Sequence, residues 1–144
     1  MQEKPPSVPL FFILLAAKSL YYRHMTSYIK YFAPDNEYFF VEGCYINELS
    51  NGALDKDVSI ARARVTPGVT TQWHRLNHTT ERYVILEGEG RVEVGDCAPK
   101  QVKTGDVVII PPQTRQRISN TGDQDLIFLA ICSPRFQEKN YIDS

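Results

Sequence analysis

The chain has 144 residues, 42% of them hydrophobic and 23% charged, which suits one globular domain able to bury its own core. A formal net charge of −1 excludes a general nucleic-acid binder, because displacing counterions from phosphates needs a basic surplus. Three cysteines, Cys44, Cys97 and Cys132, are odd in number and form no C-x-x-C pair. That excludes a disulfide framework or a zinc ribbon and fits reduced thiols in the cytoplasm.

Residues 1–37 read as an N-terminal extension. Its apolar run LFFILLAA ends at Lys18 and falls well short of the roughly 20 residues a bilayer span takes, so no membrane partner is expected. The run has the look of a signal-peptide core, but no clear A-x-A cleavage site comes after it. Met25 would make a natural start for the domain. The expectation is a short accessory helix covering apolar surface, ahead of one domain spanning 38–144.

From Tyr38 onward the punctuation is that of an all-β protein. YINEL (45–49) leads into the turn SNGALDKD, and SIARARV (59–65) alternates strictly up to TPG. TTQWHRL (70–76) ends at the polar stretch NHTT, and ERYVIL (81–86) comes next. After EGEG come RVEV (91–94), QVKTGD (101–106), VVIIPP (107–112) and QRISN (116–120). LIFLAIC (126–132) closes the set, and the tail PRFQEKNYIDS carries a helical pattern. Seven or eight strands this short, so evenly spaced, predict a sandwich or closed barrel.

The fixed positions within this frame carry a family resemblance. Gly68, His74, Leu76, Glu81 and Gly88 keep the spacing of G-x5-H-x-H-x3,4-E-x6-G. Gly105, Pro111, Gln113, Gln116 and Asn120 keep that of G-x5-P-x-G-x2-H-x3-N. Together they resemble the two motifs of the cupin superfamily, over roughly residues 59–132. The resemblance implies a double-stranded β-helix, that is, a small jelly-roll barrel. It also implies a divalent ion (Zn, Mn, Fe or Ni) on three histidines and a glutamate. Three positions depart from the pattern: Leu76 and Gln116 replace histidines, and Gln113 replaces a glycine. Of the usual ligand set only His74 and Glu81 stand as expected, with Gln116 able to offer an amide oxygen, a weaker donor than imidazole.

Strand alternation tests this independently. Gln72, His74 and Leu76 share one face, and on the next strand Glu81, Tyr83 and Ile85 share another. If His74 and Glu81 face inward, Tyr83, Thr114, Gln116 and Ile118 join them. An imidazole, a carboxyl, an amide and a phenol then converge among apolar neighbours, the makeup of a ligand pocket. Glu81 and Tyr83 are the candidate catalytic groups, as proton carrier and hydrogen-bond donor. His78 lies in the NHTT turn: either it folds inward as a further metal ligand, or it is solvated. Metal-free pairing of His74 with Glu81 is the competing reading of the same residues.

Arg62 and Arg64 share a face with Ile60, while Ser59, Ala61, Ala63 and Val65 share the other. Trp73, Arg82, Arg115 and Arg117 fall opposite the proposed ligands. Such outer faces suit solvent or a second subunit, and the resemblance implies a homodimer. The function expected is binding of a small polar molecule, a sugar phosphate or small organic acid, through a divalent metal. If the chain is enzymatic, the resemblance points to a sugar-phosphate (mannose-6-phosphate) isomerase-like cupin. Two alternatives stay open: a metal-free binding module or sensor, and a metal-dependent dioxygenase that needs His78 turned inward.

Overall fold

The structure is a computed structural model and describes residues 29–143. The short helix expected in the N-terminal extension falls mainly on residues outside that range. Within it, the approach to the domain is a single 3-10 turn, Pro34–Asn36, with Pro at its start. No helix among the described residues is long and apolar enough to cross a membrane.

Eleven strands are described: β1 (Tyr38–Phe40), β2 (Cys44–Gly52), β3 (Asp55–Val65), β4 (His74–Leu76), β5 (Thr80–Glu87), β6 (Glu89–Val94), β7 (Lys100–Lys103), β8 (Val107–Ile110), β9 (Gln116–Asn120), β10 (Leu126–Ser133) and β11 (Tyr141–Asp143). They form two antiparallel sheets, one in the order β1-β2-β3-β10-β5-β8 and the other β11-β4-β9-β6-β7. Consecutive strands repeatedly change sheet, as from β3 to β4 and from β4 to β5, which makes this the jelly-roll double-stranded β-helix that the family resemblance implied.

Alternation decides what the two sheets bury between them. Along β5 the pattern is buried at Glu81, Tyr83 and Ile85 and only half-buried at Arg82 and Val84. Val65, Ile85, Ile110, Ile118 and Leu126, from five strands, are all at most 1% exposed and form the centre of the core. Each such side chain removed from water contributes about 1.5–3 kcal/mol. On the outer face of β3, Arg62 and Arg64 both reach Glu37, and Arg64 also pairs with Asp125 at 3.2 Å. Arg64 lies 4.1 Å from the centre of the Tyr45 ring. These arginines therefore clamp the approach segment onto the barrel and do not enter it.

The motif positions have structural reasons. At Gly88, φ is +80°, and a Cβ would sit 2.7 Å from the Asp125 carbonyl oxygen, so only glycine fits. Asn120 ties strand ends together: its Nδ2 donates to the carbonyls of Val65 (2.8 Å) and Gln124 (2.7 Å), and its Oδ1 accepts from Gly122 N at 2.9 Å.

Three expectations about boundaries are corrected. Most of SNGALDKD is strand, and only Ala53 and Leu54 separate β2 from β3, because cross-strand pairing through Gly52↔Asp55 outweighs its loop-like composition. TTQWHRL is strand only at His74–Leu76, with an isolated bridge at Thr70↔Ser119, and Gln72 is exposed rather than facing inward with His74. The tail is not helical beyond the 3-10 turn Glu138–Asn140; Tyr141–Asp143 adds β11 to the free edge of β4.

Gln113 occupies the motif's glycine position with φ +64°, left-handed backbone that an L side chain adopts at a cost of about 1–2 kcal/mol. Glycine avoids that strain but loses part of the gain to its freer unfolded chain. Gln113→Gly is expected to stabilise the protein by about 0.5–1 kcal/mol, read as a higher urea midpoint with unchanged slope. A lower midpoint would show that the exposed Gln113 side chain holds this turn itself.

Candidate functional site

Four strands and one turn deliver the polar groups. β4 supplies His74 and β9 supplies Gln116, and the two are direct cross-strand partners. Glu81 comes from β5 in the opposite sheet. All three are buried, as the shared-face argument requires. Gln116 donates from Nε2 to Glu81 Oε2, so amide and carboxyl meet across the interior. Cys132 Sγ, from β10, approaches the other Glu81 oxygen at 3.8 Å.

Residue 42 was not among the expected site residues. Glu42 lies in the β1–β2 turn, and its Oε1 stands 3.4 Å from His74 Nε2. Its backbone oxygen accepts from Gln72 N at 2.8 Å, which pins the turn to the approach of β4. The signal for it in the sequence was a lone carboxyl inside the apolar run YFFVEGCYI. Tyr141 was also missed: it stacks on the His74 ring, with centroids 5.3 Å apart and planes 19° from parallel.

These contacts define the ionisation of the cluster. His74 Nδ1 lies 3.1 Å from the Gln72 carbonyl, which can only accept, so Nδ1 carries the proton and Nε2 presents a lone pair. Burial lowers the His74 pKa and keeps the ring neutral, with the Gln72 contact opposing this in part. Burial, and then the neighbouring Glu81 charge, push the Glu42 carboxyl well above the usual range. A carboxyl with a raised pKa thus faces the Nε2 lone pair. Burial likewise raises Glu81 to about 7, moderated by the hydrogen bonds from Gln116 and Cys132. Tyr83 is buried and packs against Phe128 with centroids 4.4 Å apart. Burial first, then the Glu81 charge, hold its phenol well above its ordinary pKa. Burial also pushes both Cys44 and Cys132 upward, so they stay unreactive thiols.

Beside this cluster a pocket with a cavity volume of about 70 Å³ opens between the sheets. Glu42, Glu81 and Tyr83 line it, with walls that include Ile60, Ile118 and Phe128. Thr114, expected inside, is only half-buried and outside this lining. His78 is exposed at the tip of its turn, with φ +59°, and takes no place among the converging groups. A left-handed residue between Asn77 and Thr79 turns the chain back toward β5 and leaves this side chain in solvent. The dioxygenase expectation depended on that histidine facing inward. Trp73, Arg115 and Arg117 form an outer stack, the two guanidiniums 4.8 and 4.6 Å from the indole centre.

Tested as a divalent-ion site, the donors fit poorly. Leu76 closes one ligand position with a buried isobutyl group. Gln116 turns its N–H, not its oxygen, to the carboxyl it would share an ion with. His74 Nε2 is already faced by Glu42. Among the described residues no three His, Cys, Asp or Glu side chains gather closely enough to hold an ion.

The raised carboxyls make stability depend on pH. Unfolded, Glu81 loses its proton near 4.5; folded, it keeps it to about 7. The unfolded state therefore binds fewer protons between those values, and stability falls as pH rises through them. Glu42 acts in the same direction, while His74, with its lowered pKa, opposes below about pH 6.5. Glu81→Gln is expected to remove about 3 kcal/mol of the decline between pH 4.5 and 7. Urea unfolding of both proteins across that window checks this, and parallel curves would contradict the assignment.

Comparison with known proteins agrees with this architecture. The family description "Cupin domain" matches residues 61–132. The uncharacterized protein MJ1618 of Methanocaldococcus jannaschii is 35% identical over 101 residues, spanning 69% of this chain and 80% of that protein. An oxalate-binding protein of Thermotoga maritima is 38% identical over 72 residues, or 49% of this chain and 58% of that one. Among solved structures, a Klebsiella pneumoniae protein with a double-stranded β-helix domain superposes with a TM-score of 0.67 at 16% identity, covering 81% of this chain and 98% of that one.

Proposed function

The chain belongs to the cupin family, and within it we propose a binding module that holds a small polar molecule in the barrel without a resident metal ion. The observation that carries this reading is the internal pairing of the would-be ligands. Gln116 serves Glu81, and Glu42 faces His74, so the carboxyl and the imidazole that an ion would recruit already have partners. A buried carboxyl and imidazole partnered in this way need no cation to offset their burial.

Bound molecules would meet Glu81 and Tyr83 directly, since both line the pocket. A carboxyl that titrates near 7 can give or take a proton at neutral pH, and a neutral phenol can donate a hydrogen bond. This supports an isomerase-like proton transfer as an activity of the same pocket. Exposed Val107 and Ile109 on the edge strand β8 support pairing with a second copy as a homodimer. Three free thiols support a cytoplasmic location.

One observation favours a second reading, in which a divalent ion is bound. Gln116 Oε1 is fully buried and has no hydrogen-bond partner. With His74 Nδ1 tied to Gln72, the imidazole also has the backbone-oriented form that metal-ligating histidines use. His74, Glu81 and Gln116 would then hold the ion, which would supply a positive anchor for a sugar phosphate or small organic acid. The oxalate-binding relative makes that reading concrete.

Elemental analysis of protein purified without a histidine tag separates the two. The metal-free reading expects far less than one divalent ion per chain, unchanged in His74→Ala. About one ion per chain, lost in His74→Ala while the barrel stays folded, would replace it with the second reading.

A further inference from the structure

Sign of charge is what the pocket's lining restricts most. Glu42, Glu81 and the exposed Glu48 line it, and among the described residues no lysine, arginine or histidine does. Arg135, at an adjoining depression, is engaged with Asn51 through a 2.9 Å hydrogen bond. The cluster behind the pocket is also short of donors, because the Gln116 amide oxygen is buried there without one. Beyond these carboxyls, most of the wall is aromatic and aliphatic, including Phe40, Phe128, Phe136, Ile60 and Ile118, with Asn51, Ser59 and Thr71 as its neutral polar members.

Resting on the reading of the barrel as a small-molecule binder, we infer that its ligand is an organic ammonium compound: a protonated amine head on an apolar body. An ammonium group brings three N–H donors and a positive charge to a place holding carboxyl acceptors and no cation. The aromatic walls favour a cation further through their ring faces, and the aliphatic ones bury the body of the ligand. Other classes match less well. A free carboxylate or phosphate would meet the Glu42 and Glu81 carboxyls, with no basic side chain among the described lining residues to pair it. A sugar carries hydroxyls on every side, and those against Ile60, Ile118 and Phe128 would lose their hydrogen bonds to water without replacement.

Isothermal titration of the full chain with a near-isosteric series reads this directly: phenethylamine, phenethyl alcohol, phenylacetate and, as a polyol, glucose. Phenethylamine is expected to bind about tenfold or more tightly than the alcohol, with phenylacetate weakest. Glu42→Gln and Glu81→Gln should each weaken the amine by about tenfold and leave the alcohol unchanged, since both variants keep side-chain size and lose the carboxyl that can ionise against an ammonium group. Tighter binding of phenylacetate or glucose than of phenethylamine would overturn the ammonium class while keeping the barrel as a small-molecule binder. Equal binding of the amine by wild type and both variants would overturn it as well. Failure of all four probes to bind would overturn both readings.

Discussion

Glu81 and Gln116 sit on opposite sheets, and their hydrogen bond spans the interior that the two sheets enclose. A carboxyl buried between layers is tolerable only with a donor against it, and the amide supplies that donor from the far side. The rest of the site depends on this constraint. Gln116 pairs in register with His74, so the imidazole enters the same space. Tyr83, two residues along from Glu81, shares its face, and Cys132 on β10 lies opposite it in the ladder. Moving β5 by one residue would turn Arg82 inward and send Glu81 to solvent, so the polar cluster and the apolar core specify the same register.

The departures from the cupin motifs make sense as a set. Leucine at 76 leaves an apolar plug where an imidazole would point. Glutamine at 116 turns an acceptor position into a donor, and its partner is the motif's own carboxyl, Glu81. Glu42 then reaches in from a turn outside both motifs to face the remaining histidine. Imidazole, carboxyl and amide thereby become a network of neighbours, and the ionisable groups left toward the pocket include the Glu42 and Glu81 carboxyls. Burial raises both carboxyls, so the cluster resists ionisation in the empty barrel and responds strongly to a cation brought to it.

Much of this was legible in the order of residues. Strict alternation in SIARARV and ERYVIL reports two faces whatever the surroundings, and the burial of Ala63, Val65, Glu81 and Tyr83 agrees with it. Gly88 and Asn120 mark places where backbone geometry admits few side chains, so their spacing carried the fold. Loop-like composition misled in SNGALDKD, where pairing with a neighbour outweighs local preference. The tail misled for the same reason, since its strand exists only because β4 offers an edge.

Local periodicity and motif spacing by themselves determined the all-β barrel, the inward faces of its strands, and the convergence of His74, Glu81 and Gln116. They act over a few residues, and each strand carries them independently. Which partners those side chains find was decided by tertiary structure alone. Glu42 meets His74 from a turn two strands earlier in the chain, and Tyr141 reaches the same ring from the far end. Such contacts depend on how turns and edges fold back in space, and no local pattern encodes them.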